Sequence, residues 1–380
     1  MTLGGAATAL AVSVRTLRSS AELRAAGWDG LLETGGLYSS SEWLAVLEQY
    51  VREPRLHVVA RDGERLVGGM TCLLLDAESN PSPFTRVDQI LARRLELADA
   101  ARSADLSGLL PTLLCGGREA SRSLLLLDPT LPPAFRDSVA DEVVGEAERQ
   151  ARALGAGSLS LVCVDPDDDV LCSALSRAGF AGFVNDELAV LDVVWDSFDA
   201  YLAALPGRKR GTFRAECRRL SKGGVELTVE PLTPSLVREL VPLELAHCAK
   251  YGEPRSAEQS ERSLLLLANA RLPVYVSLAR RGGELCGFVV FLRWRDELYA
   301  RQAGFDDARR GKLPIYFGTL FYEPIAFATR AGVRRIEYAF GSSQAKALRG
   351  CRTTPHYAYV KCLRPEPAGS LTAALAEVAS

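Results

Sequence analysis

The residues with the most chemical promise lie in the second half of the 380-residue chain. The segment GRKRGTFRAECRRLSK carries Arg208, Lys209, Arg210, Arg214, Arg218, Arg219 and Lys222 against one acid, Glu216. Arg210, Arg214, Arg218 and Lys222 recur every four residues, so a helix would stack them in one cationic stripe. Like charges at that spacing repel, a cost that a bound polyanion would offset. A nucleic-acid backbone or a diphosphate group fits that description, and a plainly solvated helix face is the other reading. Further on, Lys346 and Arg349 stand in SSQAKALRG, just after the β-rich RRIEYAF. A lysine and an arginine at the C-terminal end of a strand can face one cleft and stabilise a charged donor or an oxyanion. A surface lysine is the alternative. Glu337 and Tyr338 join them as candidate catalytic groups, with Glu337 placed to act as a base. Arg301, Tyr316 and Tyr322 are candidate substrate-binding groups, although tyrosines at such spacing also fill cores.

Other chemistry finds less support. The three histidines (His57, His247, His356) show no metal-ligand spacing, and no metal site is expected. His247, within LELAHCAKYGEP, reads as a helix residue with a structural place. The acidic run from Asp165 to Asp169 suits a loop opening a helix, where carboxylates complement the dipole. Cys351 follows Arg349 closely but lacks a partnered base. No GxSxG element, P-loop or intact dinucleotide fingerprint appears.

Composition narrows the class. Hydrophobic residues make up 48% and charged residues 24%, as in soluble globular proteins. No apolar run approaches the roughly 20 residues of a membrane span. The formal net charge of -2 and pI of 6.1 give no global attraction to polyanions, so such a partner needs a local patch. The nine cysteines form no CxxC and mostly sit among aliphatic residues, as reduced thiols do in a cytoplasmic protein. The mildly apolar N-terminus lacks a basic start and reads as untargeted chain leading into a strand.

The elements that must position these groups come twice. ARDGERLVGG from Ala60 matches ARRGGELCGF from Ala279, an offset of 219 residues (60 to 279), and each copy joins two β-rich runs. Glycine-containing charged turns between such runs signal hairpins. A second echo, helix then glycine then strand, aligns Gly155 with Gly332 and Leu159 with Ile336. Its smaller offset of 177 (155 to 332) places extra residues in the first half, within about 76–119. Two α/β domains with mixed sheets follow, divided at 196/197 as 1–196 and 197–380. In the second, helices are predicted at 198–205, 211–222, 233–250, 257–270 and 314–331. Strands are predicted at 225–230, 274–280, 285–293, 297–304, 335–340 and 356–363.

This order, a hairpin feeding a third strand and then a helix, is similar to the GNAT acyltransferase fold. The duplication resembles the tandem-GNAT, Fem-type branch. The likeness rests on LYSSSEWLAVLEQY with its following hairpin, on LPGRKRGTFRAECRRLSKGGVELTV, and above all on the stretch from Leu298 to Gly350. There, Phe340-Gly341 followed by Lys346, Arg349 and Gly350 resembles a family element. The resemblance implies two tandem GNAT-like domains and transfer of an acyl group onto an amine. It implies Lys346 as the residue most associated with transfer, with no cofactor tightly bound. Fem-type members take an amino acid from aminoacyl-tRNA, whereas other GNATs use acyl-CoA. The segment matching the CoA loop, Ala308-Arg309-Arg310-Gly311-Lys312-Leu313-Pro314, has lost its second glycine, which favours aminoacyl-tRNA as donor and acyl-CoA as the alternative. Arg208, Lys209, Arg210, Arg214, Arg218 and Lys222 would then hold tRNA phosphates. The acceptor would be an amine of a small molecule or a cell-wall precursor, the protein a monomer or dimer. A catalytically idle binding protein of the same fold is the reading from another class.

Overall fold

Alternating apolar runs joined by glycine turns build mixed sheet structure in the computed structural model, which describes residues 12–33, 36–79, 85–97, 106–253 and 255–364. The chain divides into a unit of Met1–Asp186 with Pro355–Ser380 and a second unit of Glu187–Thr354.

In the first unit the order is β1 (Val12–Leu17), α1 (Ser20–Ala25), α2 (Ser41–Tyr50), β2 (Arg55–Asp62), β3 (Arg65–Leu75) and α3 (Val87–Leu97). β4 (Thr112–Cys115), β5 (Leu126–Leu127), α4 (Pro133–Ala153), β6 (Ser158–Val164) and α5 (Asp169–Arg177) follow, and then β7 (Ala181–Asp192), which passes into the second unit. Strands β1 to β4 pair antiparallel in sequence, and β4 runs parallel to β6. On α4, Val139, Ala140, Val143, Val144, Ala147 and Ala151 recur at helical spacing and are buried against Leu56, Val58, Met70 and Leu159. Of the expected insertion at 76–119, residues 80–84 and 98–105 lie outside the described residues, and the rest supplies α3 and β4. Residues 1–11 of the N-terminal stretch also lie outside them.

The second unit continues with α6 (Phe198–Ala204), α7 (Gly207–Lys222), β8 (Val225–Pro231), α8 (Pro234–Lys250), α9 (Ala257–Ala268), β9 (Val274–Arg281), β10 (Glu284–Trp294) and β11 (Glu297–Phe305). After α10 (Asp307–Arg310) come α11 (Ile315–Phe317), a π-helical turn (Gly318–Tyr322), α12 (Glu323–Ala331), β12 (Arg335–Glu337) and α13 (Ser343–Leu348). β8 to β11 pair antiparallel in sequence, β11 runs parallel to β12, and β12 pairs antiparallel with the end of β7. Phe213, Phe291, Phe321, Tyr322, Ile325, Ile336 and Tyr338 lie in its core. β13 (Arg352–Cys362) begins in this unit and from Pro355 belongs to the first, where it pairs with β6.

The two units are thus not the linear halves 1–196 and 197–380. Residues 190–192 pair with β12, and β13 pairs with β6, so backbone hydrogen bonding moves both segments across the expected boundary. The repeat itself is in register. Ala60 faces Gly68 and Ala279 faces Gly287, and each hairpin then slips by one residue, leaving a bulge at Val67 and at Cys286. Gly155 and Gly332 end their helices in the left-handed region, at φ 71° and 68°.

Three predicted elements differ. α7 starts four residues early, at Gly207, because Pro206 (φ -52°) is pre-set for a helix start. The helix predicted at 314–331 is interrupted by the π turn, where Gly318 lets the backbone approach Leu220 and Leu227. The strand predicted at 335–340 stops at Glu337, because Ala339 turns left-handed at φ 54°.

Candidate active site

β11 and β12 run side by side for only three residues, Glu297–Tyr299 against Arg335–Glu337. From Ala300 to Phe305, β11 stays paired to β10, but among the described pairings it has none on its other side. The β12 chain meanwhile stays with β7: Tyr338 N donates to Ala189 O at 2.8 Å, and Ala189 N to Ala339 O at 3.2 Å. Two parallel strands part at their C-terminal ends, which is where α/β sheets place ligands. At the fork β11 carries a bulge, with Arg301 and Gln302 between the pairs Phe291–Ala300 and Val289–Ala303.

Lys346, on α13, lies beside this opening and is only 4% exposed. Its Nζ donates to three carbonyls, Tyr338 O at 2.6 Å, Phe340 O at 2.9 Å and Ala339 O at 3.1 Å. Arg349 ends the same helix and is equally buried. Its guanidinium donates to Ala345 O at 3.1 Å, to Glu216 Oε2 at 3.2 Å and to the Tyr322 hydroxyl at 3.4 Å. It lies 3.4 Å over the Phe317 ring and within 6 Å of Phe213, Phe321 and Tyr322. Tyr322 in turn donates to Glu216, and its hydroxyl pKa is raised, first by burial and then by that acceptor. Cys351 nearby is pushed up to about 12 by burial, so its thiol is no nucleophile at neutral pH.

Glu337, the last residue of β12, and Tyr338 just beyond it join different groups. Glu337 joins a buried ionic group, Arg335 lying 3.7 Å from it and 3.6 Å from Glu297. The Tyr299 hydroxyl donates to Glu297 at 2.5 Å. Tyr338 packs 4.7 Å from Phe321, its hydroxyl pKa raised by complete burial. Arg301 sits half-buried on the bulge. The structure therefore brings Tyr322 and Arg349 into contact and sets Lys346 on the backbone of Tyr338, while the Glu337 side chain belongs to a separate cluster.

Tyr316 lines a cavity of about 80 Å³ with His247, Lys250, Tyr251, Phe305, Asp307 and Arg310. Burial and Lys250 keep the His247 imidazole neutral by lowering its pKa. Asp307 pairs with Lys250 at 2.8 Å and Arg310 at 2.7 Å. Next to it, Glu244 is a fully buried carboxylate, accepting from Arg255 at 2.8 Å, Ser260 at 2.7 Å and Gln302 at 2.8 Å. Glu216, Glu244 and Gln302 escape sequence reasoning. The available signal was a lone acid in a cationic helix and a carboxylate inside the apolar run LVPLELA.

On α7, Phe213 and Leu220 face the core while Arg208, Arg214, Arg218 and Lys222 are exposed. Half-buried Arg210 donates to Ala203 O at 3.3 Å, and half-buried Lys209 sits beside it in the first turn. That turn holds no acid, so its cations meet the positive end of the helix dipole unrelieved. The loop matching a CoA site is arranged differently: Arg309 pairs with Glu284 and Asp306, and Arg310 with Asp307. Among the described residues, no group of three His, Cys, Asp or Glu side chains is placed to hold a metal, and no helix is long and apolar enough to cross a membrane.

Known proteins resemble this chain in family and in fold. The FemAB-like family model, described as peptidoglycan biosynthesis/recognition, matches residues 130–376. FemX is similar in structure, with a TM-score of 0.63 at 11% identity over 94% of this chain and 99% of that one. A tandem GNAT protein from the clavulanic acid biosynthesis pathway gives 0.56 at 15% identity, covering 93% and 99%. The C-terminal domain of a lysylphosphatidylglycerol synthetase from Agrobacterium fabrum gives 0.54 at 14%, covering 93% and 96%. No curated protein matches the sequence. With its duplicated hairpins, its forked strands and a family match over most of its length, the chain belongs to the FemAB-like family and is an acyltransferase built of tandem GNAT-like domains.

Proposed function

We propose that this protein moves an aminoacyl group from aminoacyl-tRNA to an amine of a cell-wall precursor or small molecule, at the fork in the second unit and in the cytoplasm. One observation carries the choice of donor. The exposed cations Arg208, Arg214, Arg218 and Lys222 have no acidic partner among the described residues, whereas Arg309 and Arg310 of the CoA-type loop are already paired with carboxylates. A phosphate chain gains most where cations are unpaired.

The reaction forms one N–C bond and breaks one ester C–O bond, and the amine proton ends on the departing ribose oxygen. The open edge of β11 at 300–305 offers backbone groups that can align the donor. Neutral His247, on the cavity beside it, can accept the amine proton. Arg349 and Tyr322 brace one another, and Arg301 on the β11 bulge is assigned to acceptor binding.

Transfer from labelled alanyl-tRNA, measured with and without ribonuclease beside labelled acetyl-CoA, tests this reading. Ribonuclease-sensitive transfer is expected. The double charge reversal Arg214→Glu/Arg218→Glu should raise KM for tRNA more than tenfold and flatten its salt dependence. Ribonuclease-insensitive turnover of acetyl-CoA would instead establish acyl-CoA as donor. That second reading draws on the matching position of the Arg309–Lys312 loop and on the clavulanic acid relative, whose structure is described as without AcCoA.

A further inference from the structure

We infer that Lys346 is a positioning residue: its ammonium clamps the carbonyls of Tyr338, Ala339 and Phe340, holds the left-handed turn that walls the fork, and acts through that backbone without touching the reacting carbonyl. The inference rests on the fork being the site of acyl transfer.

An ammonium has three protons, and here three carbonyls at 2.6 to 3.1 Å take them. The side chain is 4% exposed, so it does not reach outward to a donor. The partners lie where the chain is least comfortable. Ala339 (φ 54°), Gly341 (φ 76°) and Ser342 (φ 50°) all occupy the left-handed region, and two of the three carry a side chain. Strain of this kind persists only where the surroundings enforce it, and it gathers at functional sites.

The clamp is mutual. Converging carbonyl dipoles are unfavourable without a cation, and a buried ammonium is unfavourable without acceptors. If Lys346 were lost, Ala339 O would keep the Ala189 N–H, but Tyr338 O and Phe340 O would lose the ammonium. The turn also borders the cavity: the Ser342 side chain counters the burial that raises the hydroxyl pKa of Tyr316, one of the cavity's lining residues. Release of the turn would therefore be felt both at the fork and at Tyr316.

The experiment compares Lys346→Met, Lys346→Met/Ala339→Gly and the wild-type chain, without substrate and then in transfer from alanyl-tRNA. We expect Lys346→Met to lower Tm by about 5 °C, to speed amide exchange at 338–342 at least tenfold, and to reduce transfer at least tenfold. Glycine at 339 relieves the left-handed strain, so the double variant should recover several-fold in transfer and in exchange protection. A residue acting directly on the donor would give the opposite pattern: wild-type Tm and exchange at 338–342, lost transfer, and no rescue by glycine. That pattern would overturn the inference. If Lys346→Met does not fold, Lys346→Gln, which keeps two donors without charge, is read in the same way. If wild-type protein transfers from no donor, the acyl-transfer reading fails, while the substrate-free Tm and exchange still decide whether Lys346 braces the turn.

Discussion

Each unit has a parallel strand pair, β4 with β6 and β11 with β12, and the two copies differ at one end. In the first unit β4 pairs with β6 along its whole length, Thr112 to Cys115. Where β4 stops, Ser123 takes over the edge of β6, its N–H donating to Cys163 O at 3.1 Å and its hydroxyl to Val162 O. In the second unit β11 outruns β12 by six residues, 300–305, and among the described residues no segment takes over that edge. The same hairpin, with the same bulge after the Ala–Gly pair, thus leads to a covered strand edge in one copy and an open one in the other. Duplication preserved the scaffold, and the difference in chemistry lies in what happens after the third strand.

Arg349→Ala should break this contrast most severely. It removes the guanidinium between Phe317 and Glu216 and leaves that carboxylate, 15% exposed, without its ion partner. A loss of about 3–5 kcal/mol is expected in denaturant unfolding. Faster amide exchange should be confined to α7, α13 and the π turn; equal loss of protection in β2 and β3 would show that the copies are not separately built.

Acid should act on the other copy. His57, on β2, is buried with both ring nitrogens lacking hydrogen-bond partners among the described residues, and burial lowers its pKa from 6.5 to about 4. The unfolded chain then binds the proton more readily than the folded one. The stability contributed by neutral His57 is complete above pH 6.5, falls as pH drops from 6.5 to about 4, and levels off below that. The loss amounts to about 3 kcal/mol. Denaturant midpoints across this range, compared with those of His57→Leu, should show the slope vanish in the variant.

The mildest test compares the two bulges. Gly68→Ala and Gly287→Ala would put a Cβ 2.7 Å from Val139 Cγ1 and 2.6 Å from Phe305 Cδ1 respectively. Each should cost about 1–3 kcal/mol. Only Gly287→Ala should also lower transfer, because Phe305 lines the cavity; equal effects on transfer would contradict a single working site.

Much of the scaffold was legible because its signals are local. Gly63 and the pair Gly282-Gly283 turn their hairpins with positive φ, and alternation marks the strands on either side. The repeat aligned because Gly68 and Gly287 both permit close packing. The end of β12 was not legible, since nothing in EYAFGSSQ signals that Ala339 turns left-handed against its own preference. Lys346 was legible as important and illegible as to direction: its partners are backbone carbonyls, which no sequence displays. Glu216 was visible only as a unit of charge, because its meaning depends on Arg349, 133 residues away.

The last strand carries an inheritance rule. A fragment cut at 197–380 would keep β13 without the β6 edge it zips onto, and would lose the stretch of β7 that borders β12. The earlier copy cannot be obtained by simple truncation, because its last segment follows the later copy in the chain. Shuffling that keeps the earlier copy whole must respect the interleaved order 1–186, 187–354, 355–380, in which the later copy is a contiguous insert within the earlier one.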